Sequence, residues 1–239
     1  MRKIHLLLLI LVLFSSCQFI FRERVRGNGH ITTEQKNIGG FSSIELRGAM
    51  NVHLKQASGN DLKIETDDNL FPYIEVYTEG DRLIVREKKG YNLRPTRDIN
   101  VYASAPVFRV ISLSGSGDIL SDNTISGNES LDVSLSGSGG MKLEVDLPKI
   151  TSHVSGSGDI SLKGEARDAD LSLSGSGSVR CMDLVSDNVS LHVSGSGDAG
   201  VTANKTLDVR ISGSGSVAYR GNPSVTQKIS GSGDVRRVN

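Results

Sequence analysis

The chain has little with which to hold itself together by cross-links or by large aromatic side chains. It contains no tryptophan, two cysteines and five prolines, and aromatic residues make up 5% of its 239 residues. With so little cysteine, we expect no disulfide framework. Basic and acidic residues balance at 27 each, so the formal net charge is zero. No basic excess is therefore present to attract nucleic acid.

Long hydrophobic runs are also scarce, and the one extended apolar stretch lies at the amino terminus. It covers residues 4–14, behind two basic residues, and eleven residues are too few to span a bilayer. Such a stretch is typical of a secretory signal peptide. Two serines and Cys17 follow in the manner of a bacterial lipobox, although Phe14 stands where an aliphatic residue is usual. We expect cleavage after residue 16 and lipid on Cys17, with a conventional signal peptide or an uncleaved anchor as alternatives.

Glycine and serine, by contrast, are abundant and form a regular repeat. A Ser-Gly-Ser-Gly motif occurs seven times between residues 114 and 233, at intervals of 18–22 residues. A fixed period of about twenty residues is typical of solenoids. The first glycines of the seven copies are Gly115, Gly137, Gly156, Gly175, Gly195, Gly213 and Gly231.

Each motif lies in a frame of alternating apolar and polar residues. In residues 171–181, the apolar positions include Leu173 and Cys181 and are predicted to point inward. The same alternation places Gly175 and Gly177 inward and the serines outward, so either the strand bends there or the opposite wall lies close. Short polar turns separate the strands, without a helical pattern between motifs. We therefore predict an all-β fold, a single elongated parallel β-helix-like solenoid with coils about 4.8 Å apart.

The residue after the second motif glycine alternates between an acid and a neutral residue. Along the seven copies the order is Asp118, Gly140, Asp159, Ser178, Asp198, Ser216 and Asp234. Aspartates on adjacent coils would repel by about 0.9 kcal/mol in water, and skipping a coil halves that energy. We interpret the column as a solvated charge ladder. The alternative is that its four aspartates bind calcium, since Gly-x-Gly-x-Asp repeats do so in β-rolls.

The region before the repeats fits the same frame less regularly. Gly48 occupies the motif position within residues 44–54, and the 67 residues from there to Gly115 leave room for about three coils. Strands are predicted over residues 62–66, 74–78, 83–87 and 99–103, and a hairpin turn at residues 79–81. We therefore divide the chain into a signal peptide (1–16), a lipidated cysteine with a tether (17–40), irregular coils (41–110) and regular coils (111–239).

A family resemblance rests on three of these features. The lipobox-like cysteine, the Gly-Ala-Met-Asn-Val of residues 48–52 and the Ser-Gly-Ser-Gly-Asp repeats together resemble the bacterial putative auto-transporter adhesin, head GIN domain family. The resemblance covers residues 41–235, approximately. It implies a β-helix-like fold in a protein of the bacterial cell envelope, which we expect to be exported and anchored in the outer membrane. It assigns no binding residues.

Aromatic residues are concentrated between residues 71 and 108. One interpretation is that they form the core and the cap of the irregular end. The other is a surface patch for a glycan or a protein ligand, formed by Tyr73, Tyr77, Tyr91, Arg94 and Tyr102.

No set of catalytic residues is recognisable in the sequence. His153 and His192 occupy equivalent outward positions but belong to coils two apart, which is too far for a shared metal. No helix follows any Gly-x-Gly to present its amides to a phosphate. We expect a non-catalytic binding, adhesive or structural module without a cofactor or a nucleic-acid partner, and a carbohydrate-active β-helix enzyme is the weaker alternative.

The last coil carries three cations, Lys228, Arg236 and Arg237. Unpaired strand edges invite association, and charge on them discourages it. We therefore expect a monomer held in the membrane through its lipid, with end-to-end association as the alternative.

Overall fold

The computed structural model describes residues 23–239. The predicted signal peptide, residues 1–16, and Cys17 lie outside the described residues. The structure is 71% strand and 3% helix, which confirms the all-β prediction. Its one helix among residues 23–239 is a 3₁₀ helix of six residues, Asp68–Tyr73, too short to cross a bilayer.

Twenty strands follow one another along this part of the chain. They are β1 (Glu23–Arg26), β2 (Ile31–Gln35), β3 (Ser43–Gly48), β4 (Asn51–Gln56), β5 (Asp61–Asp67), β6 (Ile74–Glu79), β7 (Arg82–Glu87), β8 (Tyr91–Arg94), β9 (Asn100–Ala105), β10 (Val110–Gly115), β11 (Asp118–Ser121), β12 (Ile125–Ser126), β13 (Leu131–Gly137), β14 (Gly140–Gly156), β15 (Asp159–Gly175), β16 (Ser178–Gly195), β17 (Asp198–Gly213), β18 (Ser216–Arg220), β19 (Ser224–Gly231) and β20 (Asp234–Arg237).

Each Ser-Gly-Ser-Gly motif forms a corner between two faces of a stack. We call face A the sheet of strands that lead into the motif, and face B the sheet of strands that leave it. On face A, β10 pairs in parallel with β13, so that Gly115 lies beside Gly137. On face B, β11 pairs with the first half of β14. The predicted parallel solenoid is confirmed, with about seven turns and a less regular amino-terminal part.

Apolar side chains from both faces fill the inside of the stack. One column on face A is in register through successive coils, and each of its members is at most 2% exposed; they are Leu113, Leu135, Val154, Leu173, Val193 and Ile211. Burying a side chain of this size contributes about 1.5–3 kcal/mol. A slip of one residue would turn the whole column toward solvent, so the alternation sets the register. Cys181, predicted to point inward, is 1% exposed.

The motif glycines are required by the neighbouring coil. Gly175 has a φ of 124°, and a Cβ atom there would lie 2.2 Å from the carbonyl oxygen of Gly156 in the previous coil. The same close approach recurs at Gly213, at 2.2 Å from the carbonyl oxygen of Gly195. The chain does bend at the motif, in the residue that follows each of these glycines. The close contact is along the stack, however, rather than with the opposite wall.

The prediction of three coils between Gly48 and Gly115 is wrong. β3 pairs directly with β10, and Gly48 lies beside Gly115. On its other side β3 pairs with β7, while β4 pairs with β9. The intervening chain therefore makes a single coil, β7 to β9, which stacks on the far side of the Gly48 coil. The rest of the interval is used by antiparallel strands and the 3₁₀ helix.

These antiparallel elements cap the amino-terminal end of the stack. β6 covers β7, β5 covers β9, and β2 covers β5, all in antiparallel pairs. The hairpin predicted at residues 79–81 is confirmed, since β6 and β7 pair up to Glu79 and Arg82. All four strands predicted in this region are present. Residues 23–40, assigned to a tether from the sequence, include β1 and β2, so the folded body already contains Glu23.

A buried carboxylate ties the cap together. Asp67 is fully buried and accepts hydrogen bonds from the backbone N–H of Gly29 (2.7 Å) and from the backbone N–H (2.9 Å) and hydroxyl (2.8 Å) of Thr96. Burial raises the pKa of this carboxyl, but the hydrogen bonds from Thr96 and Gly29 outweigh burial and the pKa is lowered. Asp67 thus joins three chain segments that are far apart in sequence.

Candidate functional site

The outer surface at the motif corner is a set of polar columns. The first serines of the motifs lie in register on face A, exposed or half-exposed, and are Ser114, Ser136, Ser155, Ser174, Ser194, Ser212 and Ser230. Because the coils stack at about 4.8 Å, the column repeats one hydroxyl at that spacing. The repeat therefore builds a regular surface that no single motif contains.

The predicted acid column is in register on face B. Asp118 lies beside Gly140, Gly140 beside Asp159, and the alternation continues to Asp234. The carboxylate of Asp159 accepts hydrogen bonds from the hydroxyl (2.6 Å) and backbone N–H (3.1 Å) of Ser178 in the next coil. The hydrogen bond from Ser178 and the charge of Arg180 lower the pKa of Asp159. Ser178, between two acids of the column, is thus a hydrogen-bond donor as well as a spacer, and the backbone N–H of Ser216 donates to Asp198 (3.3 Å) in the same way.

A second acid column, missed in the sequence, lies on face A. Its register is Val110, Asp132, Thr151, Asp170, Ser190, Asp208 and Thr226. It alternates out of phase with the column on face B, so each of the seven regular coils carries one acid in one of the two columns. The sequence does contain a signal for this column: the residue five positions before the first glycine of each motif alternates between a neutral residue and an aspartate. Together the two columns place one carboxylate on each regular coil.

Neither column brings several metal ligands to one point. Aspartates of one column are two coils apart, about 9.6 Å at the spacing of a β-sheet. Residues 23–239 contain no group of three or more histidine, cysteine, aspartate or glutamate side chains placed to hold a metal ion. His153 and His192 lie in one column with Ser172 between them. Calcium binding by Asp118, Asp159, Asp198 and Asp234 stays a prediction from the sequence.

The structure divides the predicted aromatic patch. Tyr73 and Tyr91 form a pair with ring centroids 4.7 Å apart, and Arg94 lies on the same strand as Tyr91. The guanidinium of Arg86 lies 5.4 Å from the ring centroid of Tyr77. Tyr102 lies on face B instead, stacked on His53 at 4.8 Å. Tyr102 is therefore separated from the Tyr73–Tyr91 pair, although its strand β9 also lies under the cap.

A cavity of about 520 Å³ adjoins the aromatic pair, and its charged lining is four cations and one acid: Arg47, Arg86, Lys88, Lys89 and Glu87. Tyr91 also lines it. Two of its cations already have partners. The guanidinium of Arg47 donates to Glu45 (2.5 Å) and that of Arg86 to Glu75 (2.7 Å). The ammonium of Lys88 lies 5.8 Å from the ring centroid of Tyr91. The lysines are thus the cations of the cavity that face it without a carboxylate in contact.

The two cysteines have different environments. Cys181 is a free thiol in the core, and burial raises its pKa to about 12, so it is unreactive at neutral pH. Cys17, the predicted lipid-attachment residue, lies outside the described residues.

Comparisons with known proteins agree with this architecture. A family model described as "Putative auto-transporter adhesin, head GIN domain" matches residues 40–223. The crystal structure of a putative adhesin from Bacteroides fragilis superposes with a TM-score of 0.81 at 23% identity, covering 90% of this chain and 100% of that chain. A putative adhesin from Parabacteroides merdae superposes with a TM-score of 0.71 at 25% identity, covering 91% of this chain and 100% of that chain. A putative lipid binding protein from Parabacteroides distasonis gives 0.75 at 24% identity, with the same coverage. No curated protein matches the chain.

Proposed function

We propose that this chain, which belongs to the putative auto-transporter adhesin, head GIN domain family, is a non-catalytic adhesive module of the bacterial cell envelope. The observation that carries the proposal is the in-register stacking of the motif corners. This stacking displays columns of serine and aspartate side chains at a constant spacing on a rigid core. A rigid repeated surface suits the recognition of an extended or repetitive ligand, because many weak contacts add without further ordering cost.

Several carboxylates accept hydrogen bonds that join adjacent coils, and this structural role supports a function without catalysis. Asp159 accepts from Ser178, Asp168 from Asn188 at 2.8 Å, and both contacts join adjacent coils. A carboxylate fixed in its charged form by such bonds is poorly suited to proton transfer near neutral pH. The matching family and the similar structures carry names of adhesins, which agrees with this proposal.

The same proposal includes a lipid on Cys17 and anchoring in the outer membrane. It is supported by the signal-like residues 4–14 and by the two serines before Cys17. The strands nearest to Cys17, β1 and β2, belong to the capped end. Eight intercoil steps separate the coil of β7 from that of β19, about 38 Å at the spacing of a β-sheet. An anchor at the capped end would thus hold the polar columns away from the bilayer.

Adhesion is tested with beads that carry the mature chain, Cys17 to Asn239, flowed over immobilised glycans and matrix proteins. Beads should be retained on at least one surface more strongly than beads coated with albumin. Replacing the column serines Ser155, Ser174 and Ser194 with lysine should reduce this retention, since the three positions lie in one column. Lysines at three exposed positions outside these columns, Asn128, Asn222 and Ser224, are the charge control. Retention equal to albumin on every surface would refute the adhesive role.

Lipid attachment is tested separately, in cells that express the full chain. A clickable palmitate analogue should label the wild type and should not label Cys17→Ser. After a high-salt wash, which removes electrostatic contacts, the variant should be in the soluble fraction and the wild type in the membrane fraction. Cys181 is buried in the core and serves as the internal control, because it is present in both chains. Equal labelling of the two chains would refute the assignment of Cys17.

A further inference from the structure

Six exposed cations lie at the capped end, on β1, on β8 and on the segments beside β8. They are Arg24, Arg26, Lys88, Lys89, Arg94 and Arg97, which we call the basic end. Residues 23–26 and 88–98, which contain them, hold only two acids and therefore carry a net charge of +4, whereas the whole chain is neutral. None of the six takes part in an ion pair found among residues 23–239. Their charge is thus available to an outside partner.

The strand pairing fixes the direction in which this charge faces. β8 lies between β7 and β9 in the chain, and β1 pairs with it in parallel, with Val25 beside Leu93. These two side chains pack against the core. Because side chains alternate along a strand, Arg24, Arg26 and Arg94 point away from the core. The side-chain amide of Asn69 in the 3₁₀ helix donates to the carbonyl oxygen of Arg26 (2.8 Å), so β1 lies beside the helix of the cap.

The chain between Cys17 and Glu23 limits how far the basic end can be from a lipid anchor. Six residue steps separate the two positions. At 3.3–3.6 Å per fully extended residue, they span at most about 22 Å. A lipid on Cys17, which is part of the proposed function, would therefore hold the basic end close to the bilayer surface. Anionic headgroups attract basic residues within roughly a Debye length, about 8 Å at physiological ionic strength.

The cavity at the same end offers space for a headgroup. Lys88 and Lys89 belong both to the basic end and to the lining of the cavity of about 520 Å³. Tyr91 adds an amphipathic ring to the same lining. Tyrosine is favoured at the membrane interface because its ring is apolar and its hydroxyl is polar. The position thus combines free ammonium groups with a side chain suited to the interface.

We infer that the basic end docks on the anionic lipid headgroups of the membrane that holds the anchor. Docking adds an electrostatic contact to the lipid, in the way that a polybasic segment reinforces a single acyl anchor. It also orients the solenoid, because the basic end is at one end of the stack and the coil of β19 and β20 is at the other. The inference rests on the proposed lipid anchor for its biological setting, but the surface itself can be tested without lipid on Cys17.

The test measures binding of the unacylated chain, Cys17 to Asn239 with Cys17→Ser, to sedimented vesicles. This chain contains every described residue. Vesicles of pure phosphatidylcholine are compared with equimolar phosphatidylcholine and phosphatidylglycerol. A near-end variant replaces Arg24, Arg26, Lys88 and Lys89 with serine. The matched far-end variant replaces Arg220, Lys228, Arg236 and Arg237 with serine. These four are also exposed, and none of them takes part in an ion pair found among residues 23–239. Both variants lose the same charge.

Wild type should bind the anionic vesicles and not the neutral ones, with an affinity that falls as salt rises. The near-end variant should bind the anionic vesicles at least tenfold more weakly, since each basic residue near such a surface contributes roughly fivefold. The far-end variant should bind as the wild type does. An equal loss in the two variants, or no loss in either, would overturn the inference. A double variant, Lys88→Ser and Lys89→Ser, repeats the test if the four-residue change impairs folding.

Inorganic phosphate separates a membrane surface from a site for a free anion. Phosphate at the same concentration as the lipid phosphate should not release the protein from vesicles, because a surface presents many headgroups at once. Full release would mean a free-phosphate site and would overturn docking. If vesicle binding fails while Cys17 is labelled in cells, the inference fails alone. If binding succeeds while Cys17 is unlabelled, the proposed anchor fails alone.

Discussion

Single motif glycines allow the coils to approach one another. At Gly175 two effects act together, a φ of 124° that disfavours a side chain and a Cβ position 2.2 Å from the carbonyl oxygen of Gly156. We expect Gly175→Ala to lower the free energy of unfolding by about 3 kcal/mol or more, because the clash involves backbone that cannot move alone. Urea unfolding followed by circular dichroism measures the change.

Gly200→Ala, in β17, is the matched control. A Cβ atom there meets only the flexible side chain of Met182, at 3.1 Å, and no positive φ opposes it. A small change is expected. If the two variants were equally stable, the motif glycines would not be required for close stacking.

Ser152 is a polar residue in an apolar column of the core. It is fully buried, between Val133 and Leu171 in register, and its hydroxyl has no hydrogen-bond partner among residues 23–239. Burying an unpaired hydroxyl is costly, so Ser152→Val should raise the free energy of unfolding by about 1 kcal/mol. Thermal unfolding measures the change, and Ser155→Val, at an exposed position three residues later, should have little effect. A destabilised Ser152→Val would mean that the site has no room for the added methyl groups.

At the scale of elements, the cap depends on the charge of Asp67. Asp67→Asn would place an amide N–H where Thr96 and Gly29 donate, so we expect a loss of about 2 kcal/mol near neutral pH. The folded-state pKa lies below the unfolded value, so the stabilisation is present above the unfolded pKa, about 3.9. It is lost as the pH falls through the folded pKa, and there the free energies of unfolding of the wild type and the variant should converge.

Urea unfolding at neutral and acid pH measures this convergence. Asp68→Asn is the control, because that carboxylate is exposed and accepts from the side chain of Asn28. If the difference in free energy of unfolding between the wild type and Asp67→Asn stayed constant with pH, the carboxylate charge could not be the cause of that difference.

Local pattern predicted the strands of the amino-terminal region but not their neighbours. The apolar run that opens residues 83–87 and the alternation of residues 99–103 identify β7 and β9, and the turn at Gly80 identifies the hairpin. The same pattern contains no information on which coil stacks on which, because every inward face is apolar. That choice is made by long-range pairing, in which the chain passes the Gly48 coil, forms β7 to β9, and returns to place β10 on β3.

The candidate surfaces were predictable to the extent that they repeat. The face B acid column follows from the motif alone, since Asp118, Asp159 and Asp198 hold a fixed position within it. The pairing of Tyr73 with Tyr91 and the separation of Tyr102 depend on the irregular cap, where no period exists. The basic end combines β1 with β8, whose paired residues lie 68 positions later in the chain, so only the fold reveals it.

At the scale of the whole molecule, the solenoid has two unlike ends, and two alternating columns of acids run between them. One end is capped by antiparallel strands and carries the basic end, and the body carries one acid per regular coil in two alternating columns. Even spacing keeps like charges about 9.6 Å apart within a column and lowers their repulsion. Weaker repulsion reduces the need for a counter-ion between the acids of a column, which argues against the calcium alternative.

We therefore expect calcium to leave the thermal unfolding temperature of the chain from Cys17 to Asn239 unchanged. Calcium requires six to eight oxygen ligands around one ion, whereas the carboxylate of Asp159 already accepts from Ser178 and contacts Arg180 at 3.1 Å. Circular dichroism in EDTA and in millimolar calcium measures the transition, with Asp159→Asn as the comparison. A rise with calcium that is absent in Asp159→Asn would mean that the ion binds the folded state, and would convert the acid column from a charge ladder into a metal site.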